Sequence, residues 1–72
     1  MKTSKVIVFK KYAEFNDVDG ALYIIPYSNI EFIRAQGIHL KIVTQSKVLE
    51  FINLENEGMF IDAFNEYISE LS

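Results

Sequence analysis

The chain has 72 residues, no cysteine and a formal net charge of −3, and half of its residues are hydrophobic. This length permits one small domain over residues 1–72, and the apolar content excludes a disordered chain. Disulfides and thiolate metal sites are excluded, no apolar run approaches the ~18 residues of a membrane helix, and the short apolar run near the start is no secretory signal. We therefore expect a soluble, cytoplasmic protein.

Before residue 53, runs of β-branched and aromatic side chains alternate with turn signals, which predicts an antiparallel meander of about five strands. The turn signals are the Asx-rich segment 16–20, Pro26 with the three residues after it, and the pair Gln36-Gly37. The predicted strands cover residues 5–12, 21–25, 30–35, 38–44 and 47–52. The first of them is apolar on both faces, which is typical of a strand covered on both sides or facing a partner.

From about residue 55 the apolar period changes to that of a helix, and one amphipathic C-terminal helix is predicted over about residues 55–71. Asn53 or Asn56 is expected to cap it. A helix of this length is marginal alone, so its stripe must pack on the sheet and the fold class is α+β. The apolar stripe contains Phe60, Ile61, Phe64, Tyr67, Ile68 and Leu71.

The charges are unevenly distributed along the chain. Residues 1–52 contain seven basic and five acidic residues, whereas residues 53–72 contain five acidic residues and no basic one. Asp62, Glu66 and Glu70 follow each other at intervals of four, so they share one helix face. Two interpretations stay open: a solvated helix face, or an acidic surface that meets a basic partner.

No constellation of catalytic residues is apparent. His39 is the only histidine, and a nucleophilic or metal site needs further groups beside it, so we expect an ordinary surface residue. The acidic segment 16–20 does not fit a calcium loop, because the first and twelfth ligand positions fall on Phe15 and Pro26. We expect no catalytic residue, no metal and no cofactor.

Aromatic side chains near basic ones leave nucleic-acid binding open as an alternative. Tyr12, Tyr23, Tyr27 and Phe32 lie on predicted strands or at their ends, where bases could stack on them. Packing of these rings in the core is the favoured interpretation. The basic residues that would accompany them are Lys2, Lys5, Lys10, Lys11, Arg34, Lys41 and Lys47.

Residues 25–30 (IPYSNI), 40–44 (LKIVT) and 50–53 (EFIN), with the helix around Phe60 and Phe64, resemble the later part of bacterial pleckstrin-homology-like domains. The resemblance implies a half-barrel of strands closed by a C-terminal helix. The chain is shorter than those domains and lacks at least one strand, so the resemblance does not imply a closed barrel. The resemblance gives no basis for a lipid site, and the acidic helix argues against binding anionic lipid.

Residues 30–44 (IEFIRAQGIHLKIVT) are similar to the opening hairpin of LytTR-type DNA-binding domains. Those domains continue into a longer basic β region, whereas this chain continues into an acidic helix. The similarity therefore does not imply DNA binding.

Taken together, the sequence predicts a non-enzymatic protein-interaction module that forms a homo-oligomer or docks onto a partner protein. A small nucleic-acid-binding or regulatory protein is the alternative, and no membrane or small-molecule partner is expected. The main reason for predicting an interaction module is the high apolar content of so short a chain, because a small domain has little interior in which to bury it. The predicted interaction surface contains Val6, Val8, Tyr12, Tyr23, Tyr27, Asp62, Glu66 and Glu70.

Overall fold

A computed structural model of the protein describes residues 2–71 and has an α+β fold, as predicted. Within these residues seven strands precede one C-terminal helix, α1 (Glu57–Leu71), and a 3₁₀ turn at Tyr27–Asn29 joins the third and fourth strands. The strands are β1 Ser4–Val8, β2 Tyr12–Asn16, β3 Leu22–Pro26, β4 Ile30–Gln36, β5 His39–Thr44, β6 Val48–Ile52 and β7 Leu54–Glu55.

The strands form two sheets. Sheet A has the order β3-β2-β1-β7, and sheet B has the order β4-β5-β6. Neighbouring strands are antiparallel except for β1 and β7, which are parallel. No pairing joins the two sheets into a closed barrel in the part of the chain that the structure describes.

The predicted strand over residues 5–12 is wrong, because the chain reverses inside it. Lys10 and Lys11 form a tight turn between β1 and β2, closed by a 3.0 Å hydrogen bond from the Phe9 N–H to the Tyr12 carbonyl. The reversal pairs Val6 with Phe15, so that both side chains are buried in the core. The turn contains no Gly, Pro, Asn or Asp, and the sequence pattern therefore did not reveal it.

The boundary between sheet and helix also differs from the prediction. The short β7, which pairs with β1, was missed, and α1 begins at Glu57 rather than near residue 55. Asn53 and Asn56 flank β7 with φ values of 52° and 66°, in a left-handed conformation that Asn tolerates. The Asn56 carbonyl accepts the Phe60 N–H at 3.2 Å, but its side-chain amide points to the Val6 carbonyl instead of capping the helix.

Two predicted turns are confirmed, and each has a local cause. One carboxylate oxygen of Asp17 accepts the N–H groups of Asp19 and Ala21, both at 2.9 Å, while Gly20 adopts a φ of 88°. Gly37 has a φ of 59° as the first of two residues between β4 and β5, which is the glycine position of a type II′ hairpin.

Three aromatic side chains from three layers meet in the core. Phe15 of β2 stacks on Phe51 of β6 with ring centroids 4.7 Å apart. The same ring makes an edge contact with Phe60 of α1 at 5.0 Å. Phe15 thus joins sheet A, sheet B and the helix, and all three rings are buried.

Tyr27 packs against the next turns of α1. Its ring lies 6.0 Å from that of Phe64 and 5.6 Å from that of Tyr67. The remaining apolar stripe is less covered than predicted, because Ile68 and Leu71 are exposed. The helix therefore packs mainly through its first three turns.

Replacement of Phe60 by Ala is expected to reduce the free energy of unfolding by about 3–5 kcal/mol, because the substitution leaves a cavity where sheet A, sheet B and α1 meet. That loss is comparable to the whole stability of a small domain, so much of the variant should be unfolded. The neighbouring Met59 is 62% exposed, and Met59→Ala should cost about 0.5 kcal/mol or less. Urea unfolding followed by circular dichroism compares the two, and equal losses would contradict this description of the core.

Candidate interaction surface

Large apolar side chains cover the outward face of sheet A. Val6 and Ile25 point into the core, whereas Ile7 and Ile24 point away from it and are exposed. The strand register places Ile7, Glu14 and Ile24 side by side across β1, β2 and β3. We use the name outer patch for the five exposed apolar side chains of this face and its adjoining turn, which are Ile7, Phe9, Tyr12, Leu22 and Ile24.

The outer patch is bordered by the turn between β1 and β2. The rings of Phe9 and Tyr12 stack with centroids 4.7 Å apart and planes 14° from parallel, and both remain partly exposed. Tyr12 lies opposite Pro26 in the register, so the stacked pair continues the apolar surface toward β3. The patch is therefore continuous across three strands.

The outer patch ends at β3, the edge strand of sheet A. This strand, Leu22–Pro26, contains no charged residue, whereas edge strands are commonly protected by charges. A concavity of about 270 Å³ runs along the edge, and its far wall includes Lys47 and Leu49. An uncharged, exposed edge strand of this kind is typical of a surface that another chain covers.

Two charges interrupt the outer patch. Glu14 lies between Ile7 and Ile24, and Lys5 lies in the next row of the same face, opposite Asn16. Neither lies within ion-pair distance of an opposite charge among the described residues. The face is thus apolar with one basic residue, Lys5, and two acidic ones, Glu14 and Glu55, of which Glu55 lies beside Lys5 on β7.

The outward face of sheet B differs from that of sheet A, because a row of charged residues lies between exposed apolar side chains at Phe32, Val48 and Ile52. Arg34, Lys41 and Glu50 lie side by side across β4, β5 and β6. The Arg34 guanidinium donates to the Gln36 side-chain oxygen at 3.1 Å, and Nδ1 of His39 lies 3.4 Å from the Glu50 carboxylate. A shallow concavity of about 210 Å³ lies between these side chains.

The prediction that Val6 and Tyr27 belong to an interaction surface was wrong. Each is only 1% exposed, because Val6 pairs with Phe15 in the core and Tyr27 packs against the helix. Val8 and Tyr23 are half-buried against the same core. The exposed members of the predicted set are Tyr12, Asp62, Glu66 and Glu70.

Sequence reasoning missed most of the outer patch. Ile7, Leu22 and Ile24 were not among the predicted surface residues, although they are more exposed than any predicted apolar one. The signal was present, since residues 6–9 and 22–25 are apolar on both faces. Such a pattern does not tell which face the core occupies.

Within residues 2–71, no three His, Asp or Glu side chains cluster closely enough to hold a metal ion. No helix among the described residues has the length and apolar character needed to cross a membrane.

Comparison of the chain with known protein families, with curated proteins and with solved structures found no match. The resemblances to pleckstrin-homology-like and LytTR-type domains therefore stay predictions, neither supported nor contradicted.

Replacement of Tyr27 by Phe tests the assignment of this tyrosine to the core. Its hydroxyl donates to the Phe9 carbonyl at 2.6 Å, and burial raises the pKa of the Tyr27 phenol above 10.0. The hydroxyl should stabilise the fold by about 1 kcal/mol while it is protonated. Because the folded pKa is the higher one, this advantage is present below pH 10.0 and lost as the pH rises through the folded value.

Urea unfolding of both proteins at neutral pH and above pH 10.0 measures this difference. Tyr12→Phe, at a partly exposed tyrosine, is the matched control and should show little effect at either pH. An equal response of the two variants would contradict the assignment of Tyr27 to the core.

Proposed function

We propose that the chain is a non-enzymatic protein-interaction module that self-associates through the outer patch of sheet A. The observation that carries the proposal is the set of five exposed apolar side chains on this face and its turn, which extends around Glu14 over three strands to an uncharged edge. A contiguous apolar patch on so small a domain marks a surface for association. The helix cannot cover it, because it packs against the opposite face of the same sheet.

A second copy is the partner that fits this face. In a dimer with two-fold symmetry every contact occurs twice. If one residue of the first copy contacts a second residue of the other copy, the same two residues also meet with the copies exchanged. Lys5 of one copy would then face Glu14 of the other, and the reverse pair forms on the far side of the axis. Both charges that interrupt the patch thereby acquire partners, while Ile7 and Ile24 pack between the two sheets.

The size of the molecule is compatible with such a dimer. A stable interface buries about 800 Å² on each partner, which is about one sixth of the 4813 Å² surface of this chain. Sheets that pack face to face lie about 10 Å apart and exclude water between them. The outer patch with its border at Phe9 and Tyr12 is the one apolar face of sheet A that is available for this packing.

Oligonucleotide binding, the alternative, has less support. Its stacking surface was expected to include Tyr23 and Tyr27, but the first is half-buried and the second is buried. Tyr12 is exposed beside Lys10 and Lys11, but its ring already stacks on Phe9. Fluorescence anisotropy with short oligonucleotides at low salt tests this alternative.

Substitution of Ile24 by Lys should weaken self-association at least about tenfold, because a lysine within an apolar interface must be desolvated. Ile38→Lys is the matched control, since Ile38 is 55% exposed, close to the 58% of Ile24, but lies in the turn between β4 and β5. Sedimentation equilibrium measures both. The proposal would be contradicted if the Ile24→Lys variant associated as strongly as the wild type, or if both variants lost the same amount of affinity.

Exchange of the two patch charges tests the two-fold arrangement. Lys5→Glu should weaken association by several-fold, because two carboxylates then meet across the interface. Combining it with Glu14→Lys should restore most of the affinity, since opposite charges face each other again. A double variant that is weaker than Lys5→Glu alone would show that these residues do not meet.

A further inference from the structure

Two cationic side chains on the outward face of sheet B are left without an anionic partner. Arg34 and Lys41 lie directly opposite each other on β4 and β5, an arrangement of like charges that destabilises a sheet. Glu50 lies on the other side of Lys41 but contacts His39 instead. Within residues 2–71 neither cation lies within ion-pair distance of a carboxylate, so both are available to an acidic group of another molecule.

The exposed face of α1 is acidic, and its charged side chains also lack oppositely charged partners. Asp62 and Glu66 are one helical turn apart, and like charges at this spacing repel each other. Lys10 lines the same cleft as Glu66 and Glu70 but does not form an ion pair with either of them. The acidic face is therefore also unneutralised in the part of the chain that the structure describes.

The two charged surfaces have matching spacings. Side chains one helical turn apart have Cβ atoms about 5–6 Å apart, and directly opposed residues on antiparallel strands have Cβ atoms about 4.5–5.5 Å apart. Two carboxylates at positions 62 and 66 can thus face two cations at positions 34 and 41 at the same time.

Apolar side chains next to the charges match as well. Phe32, Val43 and Val48 form the row beside Arg34 and Lys41, and both Phe32 and Val48 are exposed. On the helix, the exposed Met59 precedes Asp62 by about one turn. An apolar contact would therefore accompany the charge pairs and exclude water from one side of them.

We propose that helix α1 of a second copy docks on the outward face of sheet B, with Asp62 paired to Lys41, Glu66 paired to Arg34 and Met59 against Val48. The charge complementarity of the two surfaces selects this occupant. Because the surfaces differ, the contact is heterologous and leads to chains or rings rather than closed pairs. It is separate from the outer patch, and salt should weaken it strongly, unlike an apolar contact.

The test uses paired variants in an Ile24→Lys background, which weakens any association through the outer patch. One variant loses the cations (Arg34→Gln with Lys41→Gln), and the other loses the acids (Asp62→Asn with Glu66→Gln). Arg34, Asp62 and Glu66 are exposed and Lys41 is half-buried, and circular dichroism checks that each variant is folded. Sedimentation velocity at low and high salt measures the distribution of species.

The parent should form species larger than a dimer at low salt, and raising the salt should weaken its association at least about tenfold. Each variant alone should be monomeric, and their equimolar mixture should form a one-to-one complex that grows no further, since only one matching pair of surfaces remains. Full charge exchange, with Arg34→Glu, Lys41→Glu, Asp62→Lys and Glu66→Lys together, should restore association.

Association of either neutralised variant as strong as that of the parent would overturn the proposal. So would a mixture that stays monomeric, or a charge-exchanged protein that does not associate. The proposal would also fail if oligonucleotides bound to Arg34 and Lys41 while self-association did not depend on these two residues. That result would indicate a nucleic-acid-binding face. None of these results depends on whether the outer patch is an interface.

Discussion

The stacked and edge contacts of Phe15 hold the three parts of this fold together. Its ring meets Phe51 of sheet B and Phe60 of α1, and it lies opposite Val6 and Tyr23 in sheet A. A chain of 72 residues has room for one such cluster, because small domains bury a smaller fraction of their surface. The cluster uses the inner faces of both sheets and the first turns of the only helix within residues 2–71.

This arrangement leaves the outward faces of the sheets without cover. Strands that are apolar on both faces are typical of sheets with a layer on each side, but the described part of this chain supplies a layer on one side. Ile7 and Ile24 consequently face outward from strands whose neighbouring residues are buried. Sheet B differs, since Arg34 and Lys41 occupy its outward face. The two proposals accordingly give the faces different partners: an apolar surface for sheet A and an acidic one for sheet B.

The sequence was informative where one residue determines local geometry. Asp17 and Gly37 predicted their turns because the Asx side chain and the left-handed glycine act locally. The turn at Lys10 has no such residue, and only the burial of Phe15 against β1 explains it. Asp62 lies on the exposed side of the helix, as its spacing predicted. The sequence could not distinguish the buried Val6 from the exposed Ile7, since both are apolar and only tertiary packing decides between them.

The central claim is that another copy of the chain covers the outward face of sheet A. Amide chemical shifts of the unmodified protein, recorded over a dilution series at high salt to suppress charge contacts, test it most directly. The account predicts dilution-dependent shifts at Ile7, Leu22 and Ile24, with little change at Leu40 and Ile42, which are buried in sheet B. Shifts that do not depend on concentration, or that change only outside sheet A, would contradict it.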